Sequence, residues 1–128
     1  MSQLNPTPSE LEILELLWSL GEAGAQQVND HLNQRKPVSY TGTLKLMQLM
    51  HQKGLLDRRK EGRSHIYFPA IAEADTKSSL LDRFIDSTFG GSASKLMMQL
   101  LGNKKVSKKE LETIREYLNH MEGKKNDD

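Results

Sequence analysis

The chain has no cysteine. That excludes disulfides, thiolate metal sites and a cysteine nucleophile, and it fits a reducing compartment. Aromatic residues are scarce, at 5% with a single Trp, so Leu, Ile, Val and Met must fill the core. No apolar run approaches the ~20 residues that span a bilayer. The opening MSQLNPTPSE is polar and lacks the basic and apolar regions of a signal peptide. The expected location is cytoplasmic, without membrane insertion. Positive charge is absent from the first 34 residues, which hold five acids and no Lys or Arg.

The motifs of common enzymes are also missing. No GxSxG, P-loop or GxGxxG occurs. His31, His51, His65 and His120 form no pair at ligand spacing, and Met47, Met50, Met97 and Met98 read as packing residues. Neither an enzyme nor a metal or cofactor site is expected.

What is present is a modest core, with 36% hydrophobic and 27% charged residues in 128 positions, enough for one domain or two small ones. Net charge is only +1, but Arg35, Lys36, Lys45, Lys53, Arg58, Arg59, Lys60 and Arg63 crowd one stretch, opposed only by Asp57 and Glu61. On charge alone this block reads equally as a phosphate-binding surface or a solvated face.

Thr7-Pro8-Ser9-Glu10 is a capping box with proline at the first helical position, and it predicts a helix over 8–20 ended by Gly21. Ala25, Val28 and Leu32 mark one face of a second helix over 25–34, stopped by Pro37. Val38 suits a short strand. Ser39 caps a third helix that runs to Gln52 or Lys53 and ends at Gly54. Two short extended runs around Glu61-Gly62 then predict a hairpin with a basic tip, closed by Pro69. Further helices follow from about residue 73, broken at Gly90-Gly91 and Gly102-Asn103, with Ser107 and Glu110 forming a second capping box.

The expected fold is mainly α with a small β-hairpin wing. Residues 1–71 form a winged helix-turn-helix, 72–122 a three-helix domain, and 123–128 a frayed tail. Three short amphipathic helices make a thin core. They complete it either with a second copy of themselves or by packing back onto the first domain; the first reading is preferred.

On a wheel of 100° per residue, Thr43, Leu46, Met47 and Met50 share the inner arc of the third helix. Thr41, Lys45, Gln48 and Gln52 lie opposite, with Leu44 and Leu49 on the flanks. No acid occurs from Ser39 to Gly54. Lys reaches guanine O6 and N7, Gln pairs with adenine, and Thr or Leu touches thymine methyls. Gly42, costly inside a helix, either allows close approach to DNA or is incidental. The competing reading is a winged helix used as a protein-docking module, without an operator.

The segments TPSELEILELLW, VSYTGTLKLMQLMHQKGLLDRR and GRSHIYFPAI, with FGGSASKLMMQLL and VSKKELETIREYL further on, resemble the penicillinase repressor (BlaI/MecI) family of bacterial transcription regulators. The resemblance implies a homodimeric repressor on double-stranded DNA with a dyad-symmetric operator. Base reading falls to Thr41, Leu44, Lys45, Gln48 and Gln52. Backbone contacts fall to Ser39, Tyr40, Arg58, Lys60, Arg63 and His65. Dimerisation falls to Leu81, Phe84, Ile85, Phe89, Leu96, Met97, Leu100, Ile114 and Leu118. Better-known branches use a membrane metallopeptidase-type sensor and cleave the repressor; the corresponding bond here joins Gln99 and Leu100. That pair replaces the family's Asn-Phe. Leu44 and Leu49 stand where β-lactam-responsive members carry basic residues. The C-terminal cysteines of copper-responsive relatives are absent.

Overall fold

The computed structural model describes residues 5–126. The chain divides into two compact units, one ending at Leu81 and one beginning at Asp82.

The first unit opens with α1 (Pro8–Leu20). Its capping box forms as expected: Thr7 Oγ1 accepts from the Glu10 N–H at 3.3 Å, and Glu10 Oε1 accepts from the Thr7 N–H at 2.9 Å. Gly21, at φ 91°, ends the helix by donating its N–H to the Leu17 carbonyl. Helix α2 (Ala25–Leu32) is shorter than the expected 25–34, because Asn33 caps it. Helix α3 (Tyr40–Lys53) starts at the Ser39 cap and stops at left-handed Gly54. Strands β1 (Leu56–Glu61) and β2 (Ser64–Pro69) form an antiparallel hairpin whose turn places Gly62 at φ 63°. A glycine at the first of two loop positions suits such a tight turn.

Val38 is not a strand. Its N–H and carbonyl are both taken by the Asn33 side chain, which leaves nothing for a ladder. The third strand position is instead Ala23, whose N–H and carbonyl pair with Tyr67 at 3.0 and 2.9 Å. This bridge ties the link between α1 and α2 to the wing.

The core gathers Ile13, Leu14 and Leu17 of α1, Val28 of α2, Met47 and Met50 of α3, and Leu55, Leu56 and Tyr67 around the hairpin. Burial of such side chains stabilises by about 1.5–3 kcal/mol each. Tyr67, at 1% exposure, is the one fully buried aromatic among the described residues. Trp18 is half-buried and donates its indole N–H to the Ile71 carbonyl at 3.1 Å.

Helix α4 (Glu73–Phe89) begins in this unit. Thr76 is buried, and Lys77 bridges Glu15 and Glu73 at 2.7 and 2.6 Å while lying 5.8 Å from the Trp18 ring. These contacts, all local to α1 and the start of α4, carry the first unit beyond the expected boundary at residue 71.

The second unit holds the rest of α4, α5 (Ala93–Gly102) and α6 (Lys108–Asn126). Ser92 caps α5, and Ser107 and Glu110 form the expected capping box of α6. Helix α6 continues to Asn126, and the last two residues of the expected frayed tail 123–128 lie outside the described residues. From Asp82 to Lys124 no side chain is buried. Phe84 and Phe89 meet edge to face at 5.7 Å, yet Leu81, Phe84, Met97 and Leu118 are exposed, and Ile85, Phe89, Leu96, Leu100 and Ile114 are half-buried.

Candidate nucleic-acid interface

Helix α3 is anchored by its inner face. Thr43, Met47 and Met50 are buried, and Leu46 is half-buried. This matches the wheel. Thr41, Lys45, Gln48 and Gln52 are all exposed, and Leu44 leans half-buried against the core. Leu49 is exposed. The outer side therefore offers one ammonium, two amides and one hydroxyl, without a carboxylate.

The N-terminus of α3 is ordered by Ser39, whose Oγ accepts the Gly42 N–H at 3.0 Å. A Cβ on Gly42 would lie 3.0 Å from that oxygen. Gly42 thus has a local reason, room for the cap hydroxyl, besides the two readings offered by the sequence.

The hairpin register decides which wing cations share a face. Lys60 pairs with His65 and Arg58 with Tyr67, and alternate strand residues point the same way. Arg58, Lys60 and His65 therefore lie on the face of Leu56 and Tyr67. Arg59 lies on the other. It grips Glu22 with two hydrogen bonds of 2.7 and 2.6 Å and approaches Glu61 at 3.3 Å. The Arg59 hydrogen bond holds the Glu22 carboxyl below its usual range, and Glu22 in turn pushes Arg59 up. Among the basic residues of the hairpin tip, Arg59 is thus committed within the protein. Arg58 is half-buried, with its guanidinium 3.5 Å from the Tyr67 hydroxyl. Lys60 and Arg63 are exposed and, like Lys45, form no ion pair among the described residues.

Helix and wing meet in a cleft of about 470 Å³. Tyr40, Leu44 and Gln48 of α3 line one side, Arg63 and His65 of the wing the other, and the start of α2 from Gly24 to Gln27 closes it. Five of the expected contact residues converge there. Ser39, Thr41, Lys45 and Gln52 lie on α3 or its cap outside the cleft, and Arg58 and Lys60 lie along β1.

Two further features escaped the sequence reading. Lys53, counted there in the basic block, donates to Glu10 Oε2 at 2.7 Å. Asn29 is buried against Thr43, a polar residue at the spacing of the apolar face of α2. Its position four residues after Ala25 was the available signal.

The penicillinase repressor family model matches residues 6–120. The methicillin resistance regulatory protein MecI of Staphylococcus aureus (strain N315) is 24% identical over 111 residues, covering 87% of this chain and 90% of its own. The penicillinase repressor of Staphylococcus aureus is 23% identical over 122 residues, covering 95% and 97%. Among solved structures, the monomeric form of Bacillus licheniformis BlaI in complex with the blaP half-operator is 26% identical with a TM-score of 0.50, over 58% of this chain and 90% of that one. The winged helix observed here is the fold of that DNA-binding protein, and with a match over nearly its whole length the chain belongs to the penicillinase repressor family.

Proposed function

We propose that the chain is a homodimeric, sequence-specific transcriptional repressor. Helix α3 enters the major groove of double-stranded DNA. Lys45 and Gln48 meet base edges, with Thr41, Leu44 and Gln52 around them. Ser39 and Tyr40 at the helix start, and Arg58, Lys60, Arg63 and His65 on the wing, hold phosphates. The family relationship supports the repressor role. The observation that carries the reading is the acid-free outer side of α3 beside a wing face bearing Arg58, Lys60 and His65.

The second unit supplies dimerisation through its uncovered apolar side chains, so the operator has dyad symmetry with half-sites about one helical turn, or a multiple, apart. Induction by a membrane metallopeptidase-type sensor would cut Gln99–Leu100. That bond lies inside α5, so cleavage requires local opening of the helix.

The test is binding to duplex DNA across a salt series. Neutralised phosphates release counterions, so log affinity falls linearly with log salt, by about 0.9 per phosphate contact. Equal binding at low and high salt counts against a repressor and favours the protein-docking module.

A further inference from the structure

We infer that Asn29, Asn33 and Thr43 form a polar lock that sets the rotation and register of α3, making them positioning residues for DNA recognition. The inference rests on the proposed function for its consequence, though not for its geometry.

Thr43 is 1% exposed and Asn29 7% exposed, in the interface between α2 and α3. The Asn29 amide nitrogen faces Thr43 Oγ1 at 2.7 Å and the Val38 and Ser39 carbonyls at 3.1 Å each, while its oxygen accepts from Asn33 Nδ2 at 3.1 Å. The opposite orientation would set carbonyl oxygen against carbonyl oxygen. Asn33 completes the lock. Its Nδ2 reaches the Asn29 and Val38 carbonyls at 2.8 and 2.9 Å, and its Oδ1 accepts the Val38 N–H at 3.0 Å. The connector into α3 is thus held by two asparagine side chains.

Direction is what this network adds. Met47 and Met50 hold α3 by burial, which is indifferent to small rotations and slides. Hydrogen bonds are not, since they weaken steeply with distance and angle. Thr43 is two residues from Lys45, about 200° around the helix. Holding the Thr43 hydroxyl on Asn29 therefore points Lys45 outward. The Ser39 carbonyl, also bound by the α3 N–H of Thr43, fixes the level at which the helix begins. Base contacts tolerate errors of only about 0.5 Å, so a loosened α3 loses discrimination before it loses general attraction to phosphate.

The experiment uses the full chain with Thr43→Val, which keeps shape and removes the hydroxyl, and Thr43→Ser, which restores it. Asn33→Ala provides a second variant, at an exposed position, should the core change impair folding. Affinity is measured for the duplex that the wild-type chain selects from a randomised pool and for a scrambled duplex, with amide exchange recorded in parallel. Thr43→Val and Asn33→Ala should lower affinity for the selected duplex about tenfold, the scale of one mismatched base pair. Scrambled-duplex affinity and salt slope should stay unchanged, and Thr43→Ser should recover most of the loss. Amides 40–46 should exchange faster in both damaging variants. An unchanged ratio of selected to scrambled affinity overturns the proposal. If the wild type selects no duplex, the repressor reading fails instead, and unchanged exchange at 40–46 then overturns the lock by itself.

Discussion

Lys53 Nζ lies 2.7 Å from Glu10 Oε2, joining the last turn of α3 to the first turn of α1 across 43 positions of sequence. The lysine is half-exposed; the carboxylate is 2% exposed and also closes the α1 capping box. Burial pushes the Glu10 carboxyl up, but hydrogen bonds from Lys53 and Thr7 outweigh it and hold the group below its ordinary 4.5. A depressed carboxyl stabilises the fold fully above the unfolded value and loses that contribution as pH falls through the folded one. Glu10→Gln keeps an acceptor for Thr7 but abolishes the ion pair. Its stability deficit in urea unfolding should be present at pH 7 and shrink well below pH 4.5. A deficit independent of pH would show that the charge is immaterial. Glu10→Ala, which also removes the acceptor for the Thr7 N–H, should cost about 2 kcal/mol at pH 7.

Lys45 is exposed at the middle of the outer side of α3, with no ion pair among the described residues. Lys45→Glu should abolish specific binding while leaving the circular dichroism spectrum and thermal midpoint near wild type. Lys45→Ala should cost about 1–3 kcal/mol at a bidentate guanine contact. Unchanged operator affinity in electrophoretic mobility shifts would remove Lys45 from the contact set.

Much of this was legible in the sequence because it is local. Thr7, Ser39, Ser92 and Ser107 cap helices, Gly21 and Gly54 stop them, and the period of α3 separates Thr43, Met47 and Met50 from Lys45 and Gln48. What could not be read joins distant residues. Ala23 with Tyr67, Glu10 with Lys53 and Arg59 with Glu22 leave no periodic trace. The Val38 strand failed for a related reason. A β-branched residue between Pro and Ser looks extended, but the Asn33 side chain had already taken its backbone groups. The wing shows both limits at once. Alternation could have set Arg59 apart from Arg58 and Lys60, yet only the folded loop supplies Glu22 to hold it.

That separation predicts different roles for neighbouring cations. Lys60→Ala and Arg63→Ala should each weaken binding to all duplexes alike and reduce the salt slope by about 1. Arg59→Ala should leave the slope unchanged and lower stability only slightly, as the loss of an exposed ion pair does. Fluorescence anisotropy over a salt series separates the two classes. A lost unit of slope in Arg59→Ala would mean that it leaves Glu22 for a phosphate.

The second unit tests the dimer. Its side chains from Asp82 to Lys124 include none that is buried, and Phe84 and Leu118 remain 47% and 51% exposed. A unit this small rarely stabilises itself without a metal, disulfide or second copy. The chain has no cysteine for the second of these remedies. Phe84→Asp and Leu118→Asp place a carboxylate where a partner copy would have to desolvate it, which is unfavourable without a pairing cation. Sedimentation equilibrium should find the wild type dimeric and the double variant monomeric at the same concentration. The monomer should retain the winged helix and bind a single half-site, while losing the extra affinity that two tethered modules have for a dyad. A double variant that stays dimeric would move the interface off this face, and one that binds the full operator as tightly as wild type would remove dimerisation from recognition.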